Sequence, residues 1–118
     1  MIRTLAAIAL AATPSLAAAT QEPLPPLSLD HRMLLRCSAA FAIVANRQAG
    51  GDSAFARYPQ MAEQGREFFV RAGAQVMDEA GMTREQVASA LAAEAQDLVA
   101  SDTLDAVMPV CLTLLPDE

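Results

Sequence analysis

A chain of 118 residues has room for one domain, and its eight basic residues (all Arg) against fourteen Asp and Glu give a formal net charge of −6. Its hydrophobic content is 53%, yet only four Phe and one Tyr are aromatic, so we expect an all-α core of Ala, Leu, Val and Met rather than a β-sheet. The acidic balance disfavours nucleic acid and anionic lipid as partners, because both present negative charge.

Residues 1–19 have the order of a secretory signal peptide. A positive start at Arg3 precedes an apolar stretch over residues 5–12. Ala17 and Ala19 then fit the minus-three and minus-one positions of an A-x-A cleavage site. A membrane anchor is the alternative, but the apolar stretch is short for one. We therefore predict an exported protein, periplasmic or extracellular, with no membrane span after cleavage. The absence of Lys beside abundant Ala is typical of a GC-rich bacterial genome.

Residues 20–28 are predicted to form a Pro-rich, extended lead-in, because Pro is excluded from helix interiors. We expect this lead-in to contribute little to the core. The alternative is that Leu24 and Leu27 hold it across the surface of the domain. The remaining residues, 29–118, are predicted to form a single helical domain.

The first two of four predicted helices follow the lead-in. Ser28 or Asp30 can cap the first, which ends at Gly50 and Gly51. Its apolar residues recur at helical spacing: Met33, Cys37, Ala40, Phe41 and Val44. The second runs from Pro59, expected in its first turn, to about Ala80, with an apolar side made of Met61, Gly65, Phe69, Ala72, Val76 and Ala80.

Two further features of the second helix concern its surface and its packing. Glu63 with Arg66, and Glu67 with Arg71, have the spacing of surface ion pairs. Glycine destabilises a helix interior. We therefore expect Gly65 and Gly73 to mark positions where another helix backbone approaches closely.

The last two predicted helices lie between Gly81 and the end of the chain. Thr83 and Gln86 fit a capping box for the third helix, whose inward residues are predicted to be Val87, Leu91, Ala95 and Leu98. Ser101 or Asp102 can cap the fourth. Pro109 must kink that helix or split it in two. Together the four stretches predict a compact bundle.

Cys37 and Cys111 are predicted to form a disulfide that joins the first helix to the last. Each lies on the apolar face of its helix, and an exported protein matures in an oxidising compartment. A redox or metal-binding pair is the alternative. Redox pairs usually show Cys-x-x-Cys spacing, however, and zinc requires further Cys or His ligands, whereas the sequence contains one His, His31.

Other polar groupings have structural explanations. Ser28, Asp30 and His31 are adjacent at a helix start, where capping accounts for them better than a catalytic triad does. The densest acidic cluster contains Glu94, Asp97, Asp102 and Asp105. It lacks calcium-loop spacing, so a solvated helix end is favoured over a weak cation site. We therefore predict no catalytic, metal-binding or cofactor-binding residue.

The aromatic residues are the candidates for a partner contact. Phe68 and Phe69 point about 100° apart around a helix, so one of them must lie at the edge of the core or outside it. We name Phe55, Tyr58 and Phe68 as possible partner-contact residues, because exposed aromatic side chains contribute strongly to interfaces.

The absence of recognised chemistry and the acidic C-terminal half favour protein binding as the function, with a basic partner. The first alternative is an acid- or stress-responsive periplasmic chaperone, and the second is a small enzyme with an unrecognised site. In size, helical class and cysteine number alone, the chain is similar to acid-stress chaperones and to immunity proteins for secreted toxins. The sequence gives no prediction of oligomeric state.

Cleavage after Ala19 is the most direct prediction of the sequence. It gives a mature N-terminus at Thr20, because the peptidase reads the small residues at positions 17 and 19. Intact-mass measurement on exported protein checks this prediction, and retention of residues 1–19 would contradict it.

Overall fold

A computed structural model describes residues 26–116, which form four α-helices and one short 3-10 turn, Ser53–Phe55. In chain order the helices are α1 (Leu29–Ala49), α2 (Met61–Ala80), α3 (Arg84–Ala100) and α4 (Leu104–Leu112). No strand occurs within this range. The predicted all-α, four-helix fold is therefore confirmed, whereas the signal peptide and residues 20–25 lie outside the described residues.

Helix α1 is the centre of the fold. It contacts α2, α3, α4 and the 3-10 turn, while α2 and α3 contact each other only sparsely. Because neighbours cover it on several sides, α1 buries residues around much of its circumference: Leu35, Cys37, Ser38, Ala39, Ala40, Phe41 and Val44. The other three helices are thus positioned mainly through α1.

The predicted helix ends are mostly confirmed. The Ser28 side chain caps α1 by accepting the His31 N–H at 3.1 Å. Gly51 follows α1 with φ +77°, a conformation that favours glycine. Thr83 and Gln86 form the reciprocal capping box of α3. Pro59 lies two residues before α2 rather than in its first turn.

The start of α4 differs from the prediction. Its N-cap is Thr103, not Ser101 or Asp102, and no side-chain cap bond forms there. The Thr103 hydroxyl instead accepts a bond from Arg36 at 3.3 Å, so a contact with α1 replaces the cap. Helix α4 also continues through Pro109 as one element, which excludes the alternative of two short pieces.

Two apolar clusters form the core. The larger one surrounds the disulfide and includes Phe41, Met61, Leu98 and Met108. The smaller one lies where α2 meets α3 and contains Leu35, Val76, Met82, Val87 and Ala90. Leu27 packs against the smaller cluster. The expectation that residues 20–28 contribute little to the core is therefore wrong for Leu27, whereas Ser28 is exposed and caps α1 as predicted.

The close approach expected at the two helical glycines occurs at only one of them. A Cβ added to Gly65 would lie 3.2 Å from the Cβ of Phe41, so α1 and α2 meet there. A Cβ at Gly73 would have nothing within 4 Å. Eight residues turn a helix by about 80° beyond two full turns, which rotates Gly73 away from α1.

The predicted disulfide is confirmed. Cys37 and Cys111 are bonded with a Cα–Cα separation of 5.2 Å, and both are fully buried. They close a loop with a sequence separation of 74. In the chain-entropy account, closure of a loop of this length stabilises the fold by about 4 kcal/mol, a large share of a typical total of about 5–15 kcal/mol.

Loss of the disulfide should lower stability substantially. Cys37→Ser, Cys111→Ser and the double variant should each reduce the free energy of unfolding by about 2–5 kcal/mol, because each loses the same bond. Urea unfolding followed by circular dichroism measures this change. Reductant should destabilise the wild type and leave the double variant unchanged. Equal stability of wild type and double variant would contradict the prediction.

Candidate functional site

The segment between α1 and α2, residues 50–60, carries two of the predicted contact residues and is held by Gln48. The Gln48 amide nitrogen donates to the carbonyls of Phe55, Tyr58 and Pro59 at 3.1, 3.3 and 3.0 Å. Its side-chain oxygen accepts the Met61 N–H at 3.0 Å and so caps α2. One side chain thus holds the second half of the segment, from Phe55 to Pro59, against the start of α2.

Tyr58 is engaged within the chain. Its hydroxyl donates to the Asp105 carboxylate, which also accepts from Arg57, and the Arg57 guanidinium lies 4.9 Å from the centre of the tyrosine ring. Burial and then the bond to Asp105 raise the pKa of Tyr58, while the bonds from Tyr58 and Arg57 lower the pKa of Asp105. The half-buried Phe55 ring lies 6.2 Å from the Tyr58 ring. These residues join the connecting segment to α4, and their role as a partner contact stays a prediction.

Phe68 is not a surface residue, so its selection as a partner contact is corrected. It is 6% exposed and meets Phe41 edge to face, with ring centres 5.1 Å apart. Phe69 is 42% exposed and is the aromatic ring of α2 that reaches the surface. Because α1 crosses α2 at Gly65, it covers the side of α2 that carries Phe68.

Arg36 joins α1 to α3 and to the start of α4. Its guanidinium donates to the Asp97 and Glu94 carboxylates, each at 2.8 Å. Arg32 adds a bond to Glu94 at 3.2 Å. The bonds to Asp97 and then to Glu94 raise the pKa of Arg36. The acidic cluster is therefore partly neutralised within the chain, and among residues 26–116 no group of three or more His, Cys, Asp or Glu is placed to hold a metal ion.

Of the three residues weighed as a triad, Ser28 and His31 have separate contacts, and Asp30 lies in the first turn of α1. Ser28 caps α1, and the His31 ring lies 3.4 Å from the Glu79 carboxylate of α2. This contact joins the start of α1 to the end of α2. The geometry therefore supports the structural interpretation of Ser28, Asp30 and His31.

An apolar groove lies above α1, between α2 and α3. Its floor is formed by Ala39, Ala42, Ile43 and Asn46 of α1. One wall is Phe69 of α2, and the other wall belongs to α3: Leu91, Ala92, Ala95 and Val99. This part encloses about 410 Å³ and adjoins a second depression of about 380 Å³ between α1 and α2, with which it shares Ala42, Asn46 and Phe69. We call the two together the groove.

The groove exists because α2 and α3 pack on α1 without closing over it. They are joined at one end by the short turn at Gly81 and by the smaller core cluster, and elsewhere they contact each other little. Alanines on the floor and on the α3 wall leave space between the helices. Phe69 and Val99, the latter 61% exposed, therefore remain open to solvent.

The charged side chains that line the groove are cationic although the chain is acidic. Arg47 and Arg66 line it, and no carboxylate does. The predicted pairs Glu63–Arg66 and Glu67–Arg71 do not form. Among the described residues, neither Arg47 nor Arg66 has an ion pair. The site can thus bury apolar side chains and attract negative charge at the same place.

Comparison of the chain with protein-family models, with curated proteins and with solved structures finds no significant match. Among the described residues, no helix is long and apolar enough to span a membrane. The groove was not predicted from the sequence, although α3 carries a signal for it. In α3, the residues Ala88, Ala92 and Val99 extend the apolar face beyond the residues predicted to point inward. The resulting apolar arc is wider than one neighbouring helix covers.

The contacts of Gln48 predict a structural role that a matched variant can isolate. Gln48→Ala should lower the free energy of unfolding by about 1–3 kcal/mol, because several partly buried backbone groups lose their partner. Gln96→Ala on the exposed surface of α3 is the control and should cost no more than about 0.5 kcal/mol. Urea unfolding measures both, and equal losses would contradict the role assigned to Gln48.

Proposed function

We propose that this protein acts by binding another protein, and that the groove receives an amphipathic helix of that partner. The observation that carries the proposal is the apolar groove itself, with Phe69 and Val99 left uncovered on its two walls. Exposed apolar surface bounded by polar residues is typical of interaction sites in soluble proteins. Export to the periplasm or beyond, as the signal sequence predicts, would place the partner there too.

A helix suits this groove better than an extended segment does. An extended chain needs hydrogen bonds for its own backbone N–H and C=O groups, usually from a sheet edge. The groove offers mainly alkyl and aromatic side chains, and Asn46 is the one uncharged polar side chain that lines it. A helix satisfies its backbone internally, so it can enter an apolar groove without leaving those groups unpaired.

The small residues on the floor favour the same occupant. Packed helix axes lie about 8–10 Å apart, and the distance is shorter where the contact residues are small. Ala39 and Ala42 on α1, with Ala92 and Ala95 on α3, allow such an approach. An incoming helix would complete the packing around α1, which α2, α3 and α4 leave open on this side.

The free energy of association requires the partner to contribute much of the buried apolar surface. Burial of a large apolar side chain contributes about 1.5–3 kcal/mol, whereas association costs about 4–15 kcal/mol in lost freedom of motion. Phe69 and Val99 together do not offset that cost. The partner's helix must therefore bring several large apolar side chains, at the i, i+3, i+4 and i+7 spacing of helix-in-groove complexes.

Site-specific photo-cross-linking in exporting cells tests the proposal. A p-benzoylphenylalanine in place of Val99, on the groove wall, should cross-link to an amphipathic helical segment identified by mass spectrometry. The same substitution at Val110 of α4 is the matched control, because this Val is also exposed but lies outside the groove. Val110 should give no such product.

A blocking variant confirms the location. Ala42→Phe fills the floor of the groove and should abolish the Val99 product, whereas Ala93→Phe on the outer side of α3 should not. Equal products from positions 99 and 110, or a product insensitive to Ala42→Phe, would contradict the proposal. Products with many unrelated proteins that form only after acidification would favour the chaperone alternative.

A further inference from the structure

We infer that the helix bound in the groove is acidic, with carboxylates beside its apolar stripe, so that the partner presents negative charge to a protein that is itself acidic. This inference rests on the proposed function and adds the chemistry of the partner. It reverses the expectation of a basic partner that the net charge of −6 suggests.

The arginines divide into those that form ion pairs inside the fold and those that do not. Three of those described are paired with carboxylates inside the fold: Arg32, Arg36 and Arg57. Four have no ion pair among the described residues: Arg47, Arg66, Arg71 and Arg84. Two of these four, Arg47 and Arg66, line the groove. The groove is thus lined by two arginines that have no ion pair among the described residues.

The two groove arginines lie on different helices. Arg47 lies in the last turn of α1, and Arg66 lies in the first half of the antiparallel α2. Asn46 lines both depressions of the groove. Arg47 also offsets the negative end of the α1 dipole, whereas Arg66 has no such partner. A carboxylate on a helix in the groove would supply the charge that Arg66 lacks.

Carboxylates of the chain compete with an acidic partner only where they lie close to the groove. Exposed charges more than about 8–10 Å apart are largely screened at physiological ionic strength. The ion-paired carboxylates Glu94, Asp97 and Asp105 do not line the groove. Glu63 and Glu67 neighbour Arg66 on α2 and lie within this range, but neither lines the groove or forms an ion pair with Arg66. Arg47 and Arg66 are therefore the charged side chains that a helix meets inside the groove.

The same charges argue against a second copy of this chain as the occupant. A symmetric dimer formed groove to groove would place Arg47 and Arg66 of each copy against those of the other, because such an interface uses the same surface twice. No carboxylate lines the groove to separate them. A different protein with an acidic helix avoids this repulsion.

Two designed helical peptides of equal length test the inference with the oxidised mature protein. Both carry the same Leu and Ala stripe, and the flanking positions hold Glu in one peptide and Lys in the other. Fluorescence anisotropy at low salt should show the Glu peptide binding about tenfold more tightly, as expected for two exposed charge contacts. Added salt should reduce this preference.

Variants with the same net charge locate the effect. Arg47→Gln with Arg66→Gln should bring the two peptides to within about twofold of each other. Arg71→Gln with Arg84→Gln removes two unpaired arginines outside the groove and should keep the tenfold preference. Ala42→Phe should abolish binding of both peptides.

The outcomes separate this inference from the proposed function. Equal binding of both peptides, blocked by Ala42→Phe, would overturn the acidic partner and leave the groove as a helix-binding site. Binding of neither peptide would overturn the helix-binding groove itself, and the inference with it. Preference for the Lys peptide would show that the net charge governs recognition. Dimerisation abolished by Ala42→Phe, measured by analytical ultracentrifugation, would identify a second copy as the occupant.

Discussion

The fold depends on the bond between Cys37 and Cys111, which fixes α4 against one side of α1. Helix α4 has nine residues, contains Pro109 and lacks a side-chain cap, so it has little stability of its own. The disulfide and the burial of Met108 hold it in place. With α4 fixed on one side of α1 and the α2–α3 hairpin packed on others, one face of α1 stays uncovered. That face is the floor of the groove.

The polar side chains around α1 divide into two groups by what they contact. Arg36 and Gln48 are used within the fold, where they connect α1 to α3 and to the start of α2. Arg47 and Arg66 have no ion pair among the described residues and lie beside apolar surface. The first group explains how the helices are positioned. Arg47 interacts favourably with the negative end of the α1 dipole. No contact within the described residues explains why Arg66 lies in an apolar groove.

Local signals in the sequence predicted the helices and the Thr83 capping box, because each depends on spacing along one segment. The disulfide was predicted from a single pair of cysteines, each on the apolar face of its helix, in a chain expected to be exported. The site was harder to predict. Periodicity shows which residues of a helix are apolar, but it does not show which neighbour covers them. The pattern placed Phe69 on the apolar side of α2, yet Phe68 is the buried ring, and only the crossing of α1 at Gly65 decides this. The contacts of Gln48 likewise depend on the path of a connecting segment that has no periodic pattern.

The central claim is that the uncovered face of α1 is a binding surface for a helix. The most direct measurement is methyl NMR of the oxidised protein during titration with the acidic helical peptide. The account predicts that the shifts are confined to groove methyl groups: Ala42, Ile43, Ala92, Ala95 and Val99. Val87 in the smaller core cluster and Val110 on α4 should not move. Saturable shifts centred on α4 or on the smaller cluster, with none in the groove, would contradict it.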